Sequence, residues 1–177
     1  KKSENNELGK SEFHNDDGPI TVANKKINLK LLDVFQNACE EMGIPKTNDF
    51  NTGDNSGSGF FQFTTSHSYK KLLKLRCSAA KGYLDPIKKR SNLKIVVNAH
   101  VQKINFDNKK AVGVSFYLKN NLNTVKANKE VILSAGSIGS PQILQVSGIG
   151  DSEKLKKHGI KTIHELKGVG KNLHDHL

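Results

Sequence analysis

Leu29, Leu32, Phe35, Cys39 and Met42 recur every three or four positions, which predicts one amphipathic helix with an apolar stripe. Gly43 and Pro45 end it, since neither continues a hydrogen-bonded helical turn. From residue 93 the period shortens. Leu93–Val97, His100–Phe106 and Ala111–Leu118 alternate or run apolar and predict strands, with Asp107-Asn108-Lys109-Lys110 as a hairpin connection. Asn120–Asn123 turns the chain again into Thr124–Ala127, so an antiparallel meander is expected. Asn51–Gly59 is a loop by its Gly, Ser, Asn and Asp content, and Phe60–Phe63 a strand with Phe61 and Phe63 in the core. Ser78–Lys89 reads as a second helix, capped by Ser78 and disturbed near its end by Pro86. Residues 1–17 hold almost no large apolar side chains and are expected to form a flexible connection.

The most informative stretch runs from Glu130 to Gly150. Val131, Ile132 and Leu133 form the continuous apolar run of a strand covered on both faces in a parallel sheet, although a run this short also suits a buried helix. Gly136 follows, where the missing Cβ permits a positive φ and lets a ligand lie against the main chain. Ser140 is a suitable N-cap and Pro141 a suitable first helical residue. Ile143, Leu144 and Val146 then give the helix its apolar content, and Ser147-Gly148-Ile149-Gly150 breaks it. A helix N-terminus after a strand offers N–H donors and a partial positive charge to a phosphate or ribose oxygen. An ordinary strand–turn–helix of an α/β domain needs the same glycines for turn chemistry alone.

The residues Gly136 to Gly150 also resemble the second signature of the glucose–methanol–choline (GMC) oxidoreductases, flavoenzymes that oxidise alcohols with FAD. Glu130–Gly136 resembles the strand before that signature, and Gly168-Val-Gly-Lys-Asn-Leu-His-Asp-His-Leu177 resembles the VGxNLxDH segment after it. Asn48–Asn51, Gly59–Gln62, Arg76–Ala80, Tyr83-Leu84 and Pro86 resemble the choline-dehydrogenase-like branch. The likeness begins near Gly18-Pro19. It implies an α/β fold with an α+β portion: a partial Rossmann-like FAD-binding domain with an antiparallel meander (91–177), part of a substrate-binding domain (18–90), and a connecting segment (1–17). It implies FAD as cofactor, bound by Ser134, Ala135, Gly136 and Ser137, with the main chain of Val101 on the adenine. The substrate it implies is a choline-like or other primary alcohol, with an electron acceptor left open. The catalytic histidine and its His or Asn partner are expected C-terminal to Leu177, so no catalytic residue is assigned here. Position 1 is Lys and the chain stops inside the VGxNLxDH segment, as expected of an internal piece of a longer enzyme. An alcohol oxidase or an FAD-dependent lyase of the same family is the alternative. His174 stands where the family usually has Gln.

Composition alters this picture little. The formal net charge of +11 suggests nucleic acid or an anionic membrane face, but the lysines occur along the whole chain in pairs such as Lys25-Lys26, Lys88-Lys89 and Lys156-Lys157. The densest basic run, Lys70 to Arg76, lacks the interleaved aromatics that stack on bases. No nucleic-acid partner is therefore expected; a basic interaction module remains the reading from another class, and peripheral membrane contact stays open. Cys39 and Cys77 lack C-x-x-C spacing, and His174-Asp175-His176 lacks a third ligand at suitable spacing, so no metal is expected. Gly168-Val-Gly170-Lys171 is no P-loop because Glu165 stands where its first glycine belongs. No G-x-G-x-x-G occurs, so the pyrophosphate loop of a dinucleotide fold is missing. No run approaches the ~20 apolar residues of a spanning helix. A cytoplasmic location, or a mitochondrial one associated with the inner membrane, is expected.

Overall fold

The computed structural model describes residues 2–24, 29–65 and 76–176. Most of the basic run from Lys70 to Arg76 lies outside them. The chain divides into two compact units, Lys1–Ile95 and Val96–Leu177.

In the first unit, β1 (Glu4–Asn6) pairs in parallel with β2 (Ile20–Ala23), which pairs antiparallel with β3 (Phe63–Thr64). The expected flexible connection thus contributes a strand. A Cβ on Gly18 would stand 2.4 Å from the Glu4 carbonyl oxygen, so only glycine lets the chain return so close to β1. The same segment carries His14, which is 6% exposed. Its Nδ1 lies 3.1 Å from Glu4 Oε1 and 3.0 Å from the Asn6 amide, and its Nε2 lies 2.6 Å from Asp49 Oδ2. Burial works against a charged ring, but the hydrogen bonds it donates to Asp49 and Glu4 outweigh it and raise the His14 pKa. For Asp49, burial is outweighed by the Asn51 N–H and by His14, and its pKa falls. The Glu4 pKa falls likewise, burial being outweighed by hydrogen bonds with His14, Asn6 and the Asn15 N–H.

Helix α1 (Lys30–Glu41) forms where the periodicity places it, and Gly43, at φ +84°, turns the chain away from its end. Its apolar residues do not enter a core: Leu31, Val34, Phe35 and Met42 are all exposed. Phe61 and Phe63, expected inside, are exposed as well, and Phe61 packs against Phe50 with ring centroids 5.1 Å apart. The predicted helix 78–89 contracts to a π-helical turn, Ala80–Leu84, followed by turns. The N-cap is Ala79 rather than Ser78, though the Ser78 hydroxyl accepts the Lys81 N–H at 3.2 Å.

The second unit is built on the expected meander of β4 (Ala99–Asp107), β5 (Lys110–Leu118) and β6 (Asn121–Lys126). Asp107 pairs with Lys110 and Leu118 with Asn121, so each hairpin closes through two residues. In the second, Lys119 and Asn120 both take positive φ, as the twist-matching primed turn requires. Asn105, Ser115 and Thr124 form a polar rung across the three strands, at 3.0 and 3.2 Å. Leu93–Val97 and Val131–Leu133, expected as strands, run without a ladder partner among the described residues. Ile132 is 79% exposed, so that segment is not covered on both faces. Residues this apolar are suited to a sheet interior, but a strand needs a neighbour for its N–H and C=O groups as well as the right side chains.

Helix α2 (Gly136–Val146) packs on β4. Buried Ser147, just past its end, accepts the Ile104 N–H at 2.9 Å and donates to the Ile143 carbonyl at 2.5 Å, tying helix to strand. The chain then forms β7 (Ile149–Gly150), α3 (Ser152–Lys157, capped by Asp151) and β8 (His164–Glu165), which pairs in parallel with β7. Leu155 of α3, 3% exposed, fills the space between them.

Candidate cofactor site

Helix α2 begins earlier than its serine and proline suggest. Gly136 turns into it with φ +81°, a conformation that costs an ordinary L residue about 1–2 kcal/mol. Ser140 is not the N-cap. It lies inside the helix and its hydroxyl reaches back to accept the Ala135 N–H at 3.0 Å. Pro141 is likewise interior, where its ring forgoes the bond an N–H would make to the Ser137 carbonyl. Ala135 caps the helix without a side-chain hydrogen bond, so no side chain among the described residues satisfies the first-turn donors. A Cβ built on Gly136 meets nothing within 4 Å, which leaves the main chain open to a ligand.

This helix forms one wall of a cavity of about 770 Å³, contributed by Ser137, Ile138, Pro141, Gln142 and Gln145. The other wall is Gly170 to His174. That segment follows a pair of tight turns, in which Val169 N–H bonds to the Leu166 carbonyl and Lys171 N–H to the Gly168 carbonyl, each at 3.1 Å. Gly170 has φ +75° and Asn172 φ +56°, positions that glycine and asparagine tolerate best. The two walls are joined by Gln145, whose Nε2 donates to the Val169 carbonyl at 3.2 Å. The lining is amide-rich, with apolar Ile138 and Leu173, and holds no carboxylate. Lys171 is 3.8 Å from Asp151, a pair half-buried on the aspartate side.

These features fit part of a nucleotide cofactor. Amides and a hydroxyl supply donors and acceptors for a heteroaromatic edge or a ribose, apolar side chains offer van der Waals contact, and an anion meets no carboxylate. The sequence carries no G-x-G-x-x-G, so these residues supply only part of a dinucleotide site. Of the five residues expected at the cofactor, Ser137 lines this cavity, and Ser134, Ala135 and Gly136 lead directly into the same helical turn. Val101 lies apart. It pairs with Phe116 in β4 beside a register shift between Val101 and Lys103, and lines neither this cavity nor the one of about 310 Å³ between Lys103–Phe106 and Ile160–Ile163. Gln142, Gln145, Asn172 and His174 were not expected in the site. The motif carries them, but nothing in their spacing says which face a side chain takes. Asp175 accepts its neighbour's N–H, that of His176, at 2.8 Å, as a local turn would use it.

A cofactor-cradling α/β unit of this kind has known counterparts. The family model of GMC oxidoreductase matches residues 3–177. The oxygen-dependent choline dehydrogenase 1 of Chromohalobacter salexigens is 43% identical over 178 residues, covering 100% of this chain and 31% of that protein. The oxygen-dependent choline dehydrogenase of Pectobacterium atrosepticum is 40% identical with the same coverages, 100% and 31%. Among solved structures, the FAD-dependent oxidoreductase from Chaetomium thermophilum superposes with a TM-score of 0.87 at 31% identity, covering 98% of this chain and 32% of that one. The chain belongs to the GMC oxidoreductase family. It spans about a third of the length of these relatives.

Proposed function

We propose that this chain is part of an FAD-dependent oxidoreductase acting on the CH–OH group of a choline-like or other primary alcohol. The observation that carries the reading is the cavity of about 770 Å³, around which the Gly136 helix and the Gly170–His174 segment meet. Both stretches resemble the family's motifs, and they share one space. Bound FAD supplies the hydride acceptor for alcohol oxidation. The residues of this chain bind and orient it: Gly136 leaves the main chain accessible, Ser137 and the amides of the cavity offer hydrogen bonds, and the absence of lining carboxylates leaves room for an anion. The proton acceptor for the alcohol is the histidine that the family resemblance places C-terminal to Leu177. Similarity to proteins named oxygen-dependent choline dehydrogenases supports choline as the first substrate to try and dioxygen as the first electron acceptor.

The test is the visible spectrum of the whole protein, purified and then mixed anaerobically with choline. A yellow flavin band that bleaches with choline is expected. A colourless protein that takes up no added FAD would overturn the cofactor reading and favour a basic interaction module. A flavin that bleaches only with other alcohols would move the substrate to a general alcohol oxidase, and turnover without bleaching would point to a lyase.

A further inference from the structure

Among the described residues, Gln145 is the side chain of α2 that bonds across the cavity, and Gly170 of the segment it holds is fitted to it. Its Nε2 donates to the Val169 carbonyl at 3.2 Å. At the next residue, Gly170, a Cβ would stand 2.7 Å from that same nitrogen. The glycine therefore answers two demands, a φ of +75° and the closeness of the amide. From this clamp the chain passes through left-handed Asn172 into Leu173 and His174, which form the far wall. The Lys171–Asp151 contact at 3.8 Å, half-buried on the aspartate side, is longer than a hydrogen bond. Among the described residues, Gln145 is the side chain of α2 that hydrogen-bonds to the far wall, while the Leu166 N–H bond to the Gly150 carbonyl at 2.9 Å holds the chain leading into it.

We propose that Gln145 is a positioning residue of the cofactor cavity: its amide fixes the spacing between α2 and the Gly170–His174 wall, and with it the fit of the flavin cofactor. This rests on the FAD reading above. The alternative is a tie that serves folding alone. The two differ in what the bound flavin senses, since a looser wall changes affinity and the polarity around the ring, whereas a folding tie changes only the amount of folded protein.

The experiment compares Gln145→Met and Gln145→Glu in the whole protein, reading the FAD dissociation constant of the apoprotein, the absorption and fluorescence of bound flavin, and the melting temperature without FAD. Met keeps the length without the donor; Glu keeps the shape and, when ionised, offers only acceptors to a carbonyl. Gln145→Met carries no charge, so a loss shared by the two variants is not an effect of charge. The expected result is a loss of about tenfold in FAD affinity for both Gln145 variants, as removal of one hydrogen bond and its geometry predicts. A shifted flavin spectrum should accompany it. Lowering the pH should restore Gln145→Glu, because the protonated acid regains a donor for the Val169 carbonyl, and should restore wild type not at all. Unchanged affinity and spectrum in Gln145→Met would overturn the proposal, whatever Gln145→Glu does. Should the Gln145 variants fail to fold, Gly170→Ala presses on the same contact from the other wall, and unchanged FAD binding there would overturn it too. Wild type that binds no FAD at any concentration would instead defeat the reading on which the proposal rests.

Discussion

His14 Nε2 lies 2.6 Å from Asp49 Oδ2, joining a turn near the start of the chain to the loop after α1. Glu4 approaches the other ring nitrogen at 3.1 Å, so the imidazole sits between two carboxylates. The raised His14 pKa means that its contribution to stability is complete below about pH 6.5, the unfolded value, and is lost as pH rises through the folded one. The lowered Asp49 and Glu4 pKa values act in the opposite sense, contributing above about pH 4 and losing that contribution as pH falls through their folded values. Stability of this unit should therefore peak between about pH 4 and 6.5. Urea unfolding of the whole protein across pH 3–9 checks it. Asp49→Asn should flatten both arms and cost about 1–3 kcal/mol near pH 5.5, since a buried charged hydrogen bond is lost. A curve of unchanged shape would show that the cluster does not govern the pH response.

The meander was legible because each of its strands has its partner next in sequence, so that turn residues such as Asn108 and Asn120 announce the pairing. Leu93–Val97 and Val131–Leu133 are just as apolar, yet no neighbour is supplied locally and hydrophobicity alone does not make a ladder. The start of α2 was misplaced for a related reason. Ser140-Pro141 is a strong start signal, but the positive φ of Gly136 already turns the chain into a helix and the serine serves from within. The motif points to Ser134 to Ser137, of which Ser137 lines the cavity, whereas Gln145 and Asn172 need the facing wall to give them meaning. Nothing in the sequence links His14 to Asp49, because their meeting depends on the path of the chain between them.

Gly136→Val should strip FAD from the whole protein. In the chain by itself a Cβ there meets nothing within 4 Å, so the effect has two separable parts. The positive φ costs about 1–2 kcal/mol of stability, more for a β-branched residue, and the side chain occupies the space proposed for the cofactor. Gly136→Ala carries most of the first part and little of the second. Flavin content should thus fall far more in the valine variant than melting temperature does, and equal flavin content in the two variants would contradict the contact.

Gly148 and Gly159 offer a test of packing that needs no cofactor. Both have positive φ, +90° and +70°. A Cβ on Gly148 would lie 2.6 Å from the Lys161 carbonyl oxygen and 3.0 Å from Ile163, while one on Gly159 meets nothing within 4 Å. Gly159→Ala should cost about 1–2 kcal/mol from the backbone alone. Gly148→Ala should cost a further 1–3 kcal/mol or so from overpacking against a main chain that cannot swing aside. Denaturant midpoints of the two variants decide it, and similar values would mean that the contact around Lys161 yields.

Val101 is the remaining expectation for the cofactor, and the claim made for it concerns the main chain. Its side chain is 36% exposed on β4, beside the register shift that frees the local backbone from regular pairing with β5. Such irregularities turn N–H and C=O groups toward other partners. Val101→Ile keeps every backbone group and adds one methylene at a partly exposed position, so FAD affinity should stay within about threefold and stability within about 1 kcal/mol. Val101→Pro removes the N–H. If that group bonds the adenine, the cofactor loses a partner worth about 1–3 kcal/mol, which is roughly ten- to a hundredfold in affinity. Proline also disturbs the strand, so the comparison needs a second proline on the same edge strand away from the claimed contact: Lys103→Pro, across the register shift. Titration of the three folded apoproteins with FAD gives the answer. The claim predicts a loss for Val101→Pro well beyond that for Lys103→Pro, and equal losses in the two proline variants would assign the effect to the strand rather than to the adenine.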